Sequence, residues 1–177
     1  MVLYRRNRVP GGTFFFTLTL ANRRSTLLTT HIDLLRESWR AVRHRWLFET
    51  VAMVVLPERL HAVWRLPAGD DDFPGRGRAI KAQFTPRLGR RGVAMPLRQN
   101  GAYRLWQPRY WERTLRDDVD LQRHVDYIHY NPVKHALAGR VADWPYSSFH
   151  RYARLGRLSA DWGGKPVDDG SGGEYGE

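Results

Sequence analysis

The sequence predicts an α+β protein, and three observations carry that expectation. Thr13-Phe-Phe-Phe-Thr-Leu-Thr-Leu20, dense in β-branched and aromatic residues behind Pro10-Gly11-Gly12, reads as a central strand. Phe48 to Leu56 and Leu60 to Leu66 are Val-rich apolar runs separated by Pro57-Glu58-Arg59, the pattern of an antiparallel pair with a tight turn. Ile32, Leu35, Trp39, Val42 and Trp46 recur at intervals of three and four, tracing the apolar face of a helix with Thr29 or Thr30 at its N-cap.

The remaining elements follow in order. Period two along the third strand puts Arg59, His61 and Val63 on one face and Leu60, Ala62 and Trp64 on the other. Pro67 to Gly75 is a loop, and a second helix is expected from about Arg76 to Phe84, interrupted by Thr85-Pro86. Leu105 to Leu115 reads as a fourth strand or extended segment. Leu121, Val125 and Ile128 then mark a helix capped by Asp117 or Asp118 and stopped by Pro132. The succession β-α-β-β-α-β-α predicts one four-stranded antiparallel sheet with helices on one face, a ferredoxin-like arrangement. The aromatic stretch Trp144 to Tyr152 is expected to pack back on the domain or stack on a ligand. We therefore expect a single domain over residues 1–162, with 131–162 as an extension packed on it. The Gly-, Ser- and acid-rich residues 163–177 form an expected disordered tail. No internal repeat is visible.

Charge points to the partner. Lys and Arg outnumber Asp and Glu by 29 to 18, and the tail from Gly163 holds one Lys against four acids, so the rest of the chain carries +14. A small domain that basic, rich in Arg rather than Lys and interleaved with 7 Trp and 8 Tyr, suits phosphate contacts and base stacking. Nucleic acid is the favoured partner and an anionic membrane the second. The absence of cysteine excludes disulfides and thiolate metal sites. No apolar run approaches a membrane span and the first residues lack a signal-peptide core, which predicts a cytoplasmic protein.

On the last long helix, Asp120, His124, Tyr127 and Asn131 form a polar stripe about 90° from the apolar one. Two readings stand side by side. Tyr127 is an amphipathic anchor and Asn131 a C-cap, or the stripe presents a reactive tyrosine to a basic groove. Tyr130 is the alternative hydroxyl, and His129 and His135 read as solvated or phosphate-facing.

Three segments together resemble one family. Val55-Leu-Pro-Glu-Arg-Leu-His-Ala-Val-Trp-Arg-Leu-Pro-Ala-Gly-Asp70, Trp106-Gln-Pro-Arg-Tyr-Trp-Glu-Arg113 and His124-Val-Asp-Tyr-Ile-His-Tyr-Asn-Pro-Val-Lys-His135, with Trp144-Pro-Tyr-Ser-Ser-Phe149, resemble the REP-associated tyrosine transposases. These belong to the single-tyrosine branch of the His-hydrophobic-His (HUH) nucleases. The resemblance implies cleavage and strand transfer of single-stranded DNA at REP-like hairpins through a 5′-phosphotyrosine intermediate, with Tyr127 as nucleophile. It further implies a divalent ion, Mg²⁺ or Mn²⁺, held by His61 and by Asn131, with His124 as a further candidate ligand. A prokaryotic, nucleoid-associated protein working as a monomer is the corresponding expectation.

One position departs from the pattern. Where the family has Asp-His-Leu-His, this chain has Glu58-Arg59-Leu60-His61, and arginine has no lone pair to give a metal. The family also commonly has His where this chain has Arg113. Another group, such as His124, Glu58 or Glu112, could complete the site, with Glu58 expected on the face opposite His61. Alternatively the Arg59 guanidinium replaces the ion at the phosphate, or the chain is a DNA hairpin-binding protein that has lost cleavage. An RNA-binding sheet is the more distant alternative. Arg76, Arg78, Lys81, Arg87, Arg109 and Lys134 are the expected backbone contacts to nucleic acid.

Overall fold

A computed structural model describes residues 8–163. The tail expected to be disordered lies, from residue 164 on, outside the described residues. Four antiparallel strands, β1 (Thr13–Thr19), β2 (Glu49–Val55), β3 (Arg59–Arg65) and β4 (Trp111–Leu115), form one sheet in the order β2-β3-β1-β4. Between β1 and β2 lie a single turn, α1 (Leu27–Thr30), and α2 (Ile32–Arg45). Helix α3 (Phe73–Arg90) links β3 to β4, and α4 (Asp118–Lys134) follows β4. The expected mixed fold and ferredoxin-like strand order are observed.

The helices do not all share one face. Register pairs Phe14 with Trp64, Phe16 with Ala62 and Leu18 with Leu60, and these residues pack under α2 and α3 with Leu35, Trp39, Ile80 and Phe84. The alternate residues, Phe15 and Val63 with Ala52 and Val54, pack instead under Val125, Tyr127 and Ile128 of α4. The expectation of helices on one face thus holds for α2 and α3 and is corrected for α4. The three consecutive phenylalanines signal this, because a strand apolar at every position is covered on both sides.

Two prolines expected to end helices lie inside them. Helix α3 starts earlier than expected, where Asp72 accepts a hydrogen bond from Gly75 N at 2.9 Å, and it continues through Pro86. Pro86 forfeits one backbone bond, but Phe84 and Leu88 are fully buried on either side of it, and their burial holds the last turn. Helix α4, capped by Asp117, likewise runs through Pro132. It ends in a Schellman motif in which Leu137 N donates to Pro132 O and Ala136 N to Val133 O, with Ala136 at φ 53°. At the start of α2, His31 occupies the N-cap position without a side-chain bond, since Thr29 and Thr30 belong to α1. Trp46 lies past the end of α2 and is exposed.

The chain after α4 packs back on the sheet. Val55 N donates to Tyr146 O and Ser148 N to Met53 O, so residues 146–148 line the outer edge of β2 and cover its unpaired backbone groups. Trp144 Nε1 donates to Val55 O at 2.9 Å, and α5 (Phe149–Arg154) then turns against α4.

Candidate active site

The α4 face of the sheet gathers polar side chains at one end. Arg59 and His61 project from β3 beside Thr19 and Thr17 of β1, and α4 lies across them. His61 is fully buried, its Nδ1 2.7 Å from Thr17 Oγ1, which fixes the ring plane. Its ring meets that of Tyr127 edge-on, centroids 5.5 Å apart, and Phe15 contacts both. The ammonium of Lys134, two turns along α4, lies 5.1 Å from the Tyr127 ring centroid. Tyr127 is only 6% exposed and belongs to the second core cluster, closer to the core than the stripe geometry suggested.

Arg59 is 5% exposed, a buried cation held from two sides. Its Nη1 donates to Glu58 Oε1 at 2.7 Å, and its Nη2 lies 2.8 Å from His135 Nε2. Since arginine stays protonated, the guanidinium donates and the His135 ring nitrogen accepts. Glu58 reaches Arg59 because it sits in the turn before β3, where strand alternation does not apply; this corrects its expected placement on the opposite face. His124 is buried with Nδ1 2.8 Å from Asp120 O, and Arg113 pairs with Asp120 at 3.4 Å. Glu112 pairs in register with Phe16 and so belongs to the α2 and α3 face, away from Tyr127.

An Escherichia coli REP-associated tyrosine transposase is 47% identical over 169 residues, covering 96% of this chain and 95% of that protein. The chain belongs to the REP-associated tyrosine transposases. A Haemophilus influenzae protein given the same family name is 41% identical over 168 residues, covering 92% of this chain and 94% of its own. A solved structure of a REP-associated tyrosine transposase bound to a REP hairpin superposes with a TM-score of 0.87 at 45% identity, covering 100% of this chain and 98% of that one. No family model matches the chain.

Set beside the pattern of this transposase family, the donor set does not fit a two-histidine metal centre. The motif partner of His61 is a guanidinium, and Arg59 brings a buried positive charge to a position that could give a dication no lone pair. No group of three His, Cys, Asp or Glu among the described residues could hold an ion. Asn131 and His124 are both buried on the Tyr127 side of α4, but together with His61 they offer no carboxylate, the donor that hard divalent ions favour.

The expected DNA contacts divide. Arg78, Arg109 and Lys134 are exposed. Arg76 is corrected outright: it is 3% exposed, paired with Asp70 at 2.5 Å and donating to Leu47 O and Asp72 O, a buried tie rather than a phosphate contact. Lys81 donates to Gln107 O and lies over the Trp106 and Tyr110 rings, while Arg87 turns toward Glu37 of α2. Two histidines are also reassigned. His135 is the partner of Arg59, and His129 is fully buried against Ser148, Phe149 and Tyr152 rather than solvated. Burial, reinforced by the charges of Arg151 and His150, lowers the His129 pKa to about 3. The identity of the partner element was what the sequence lacked: a histidine on a helix reads as solvated until something packs on it.

Among the described residues no helix is long and apolar enough to cross a membrane.

Proposed function

We propose that this protein binds a REP-type hairpin as a monomer and cleaves and rejoins the adjoining single strand with Tyr127. The observation that carries the reading is the meeting of Tyr127, His61 and Lys134 at one end of the sheet, beside the buried Arg59 cation. The Tyr127 hydroxyl oxygen attacks phosphorus, the phenol loses its proton, and the released 3′ oxygen gains one. The new 5′-phosphotyrosine bond retains the phosphodiester's energy, so attack by another 3′-hydroxyl rejoins DNA without an external energy source. His61, held by Thr17, positions the tyrosine ring. The Lys134 ammonium favours the phenolate and the anionic phosphate near it. In place of a divalent ion, the Arg59 guanidinium supplies fixed positive charge at the first motif position. His135 and Glu58 hold it there.

Mixing the protein with a labelled single-stranded hairpin substrate and reading a covalent adduct on a denaturing gel tests this. Wild type should give an adduct that survives EDTA, Tyr127→Phe should give none, and Arg59→His should yield one that requires Mg²⁺ or Mn²⁺. A wild-type adduct abolished by EDTA would overturn the role given to Arg59. The ion pair that engages Arg59 favours a second reading, a hairpin-binding protein without cleavage. Tight hairpin binding with no adduct under any condition would select it. Light scattering of the free protein checks the monomer.

A further inference from the structure

We propose that a groove on the sheet face opposite Tyr127 is a second nucleic-acid site, which takes single-stranded DNA with its phosphates along α2 and its bases on an apolar floor. The groove, about 460 Å³, runs between α2 and residues 145–151 of the C-terminal extension. Trp39, Met53, Val55 and Tyr146 contribute its apolar lining, all from the α2 side of the sheet.

Charge on α2 is sorted by flank. Asp33 and Glu37 turn toward α3, where they meet Arg91 at 3.1 Å and Arg87 at 3.8 Å. Arg36, Arg40 and Arg43 line the groove instead and are exposed. None of the three has a carboxylate partner among the described residues, and no acidic residue lines the groove. Like charges three and four residues apart on a helix repel, so this row destabilises α2 unless an anion covers it. Arg36 to Arg43 spans roughly 10 Å of helix axis, enough to follow about three phosphates of one strand.

The opposite wall is firmly held. Arg151, the fourth arginine of the lining, donates to the Thr50 and Val51 carbonyls, and residues 146–148 are hydrogen-bonded to β2. A concave apolar floor beside a row of cations suits flat bases joined by phosphates. A membrane surface cannot enter a concavity, and an acidic peptide would leave the floor unfilled.

The site is independent of cleavage, and its test uses no hairpin: equilibrium binding of a fluorescent 12-residue oligothymidylate to the full chain over 50 to 200 mM salt. Replacing Arg36, Arg40 and Arg43 by Ala should reduce the slope of log affinity against log salt by about 2, removing roughly twentyfold of the salt sensitivity over that range. Met53→Glu, which keeps every arginine but sets a carboxylate on the floor, should also weaken binding at least tenfold. Ultraviolet cross-links from the wild-type complex should map to Trp39 or Tyr146. Unchanged binding in both variants, with thermal midpoints showing them folded, overturns the proposal. So do cross-links confined to the Tyr127 face, or displacement of the oligonucleotide by polyglutamate or anionic vesicles at lower charge concentration than by unlabelled DNA.

Discussion

The two faces of the sheet are built from the same strands and differ in nearly everything else. Phe14, Phe16, Leu18, Leu60, Ala62 and Trp64 face α2 and α3 in an aromatic and aliphatic core, with Phe14 stacked on Phe73 at 4.3 Å and the Phe16 ring tilted against Trp64 at 4.1 Å. One residue further along each strand, Thr17, Thr19, Arg59 and His61 face α4, and Phe15 and Val63 are the apolar pair next to them on that face. Burying the second set costs desolvation that hydrogen bonds and ion pairs only offset, whereas burying the first is favourable outright. The comparison teaches a division of labour: one face stabilises the fold, and the stability it supplies lets the other hold buried imidazoles, a guanidinium and a tyrosine in fixed geometry.

The most damaging way to break that division is from the apolar side. Phe16→Ala should cost about 4 kcal/mol in urea denaturation. A loss near 1 kcal/mol would mean that the α2 and α3 face is not the main source of stability. A smaller effect should follow from Asp70→Asn, which leaves Arg76 buried without its counter-charge. The carboxylate is partly exposed, so about 3 kcal/mol is expected, the low end for a broken buried pair. The Arg76 hydrogen bond holds the Asp70 pKa below the usual range, against desolvation. The stability from this pair is therefore complete above the unfolded carboxylate's pKa and is lost as pH falls through the lower folded value. Asp70→Asn should remove that acid-side dependence.

On the α4 side, His129 sharpens the contrast through pH. Its folded pKa is about 3 against an ordinary 6.5, so stability present above pH 6.5 falls as the unfolded chain takes up a proton that the folded one refuses. The slope is ~1.4 kcal/mol per pH unit, or about 2 kcal/mol between pH 7 and 5. His129→Gln should flatten that interval in denaturation midpoints taken at both pH values, and an unaltered slope would rule out His129 as its source. The smallest effect is local. Ala136 holds a left-handed conformation at the end of α4, and Ala136→Gly should raise stability by about 1 kcal/mol, read as a small upward shift in thermal midpoint.

Much of this arrangement was legible before any coordinates. The Phe14-Phe15-Phe16 run, the paired Val-rich strands and the three-and-four spacing on α2 and α4 are local patterns, and local patterns set secondary structure and strand order. The Arg59 departure was equally visible, because it concerns which atoms a side chain carries. Three things were not visible. Prolines 86 and 132 stay inside helices because burial of nearby apolar residues, Phe84 and Leu88 in one case and Ile128 in the other, outweighs one lost hydrogen bond. Glu58 reaches Arg59 because a turn, not a strand, holds it.

The side of the sheet that α4 covers was the third. Residue spacing fixed the helix's own apolar stripe, yet Tyr127, His124 and His129 are buried as well, since α4 is enclosed by the sheet on one flank and by the C-terminal extension on the other. The sequence by itself determined the elements, their order, the basic charge and the residues at the motif positions, all properties of one residue and its near neighbours along the chain. Only the tertiary structure decided which arginines are buried ties and which are exposed, and that His135 meets Arg59. His135 stands 76 residues from Arg59 and Leu47 stands 29 from Arg76, and no local pattern encodes such distances.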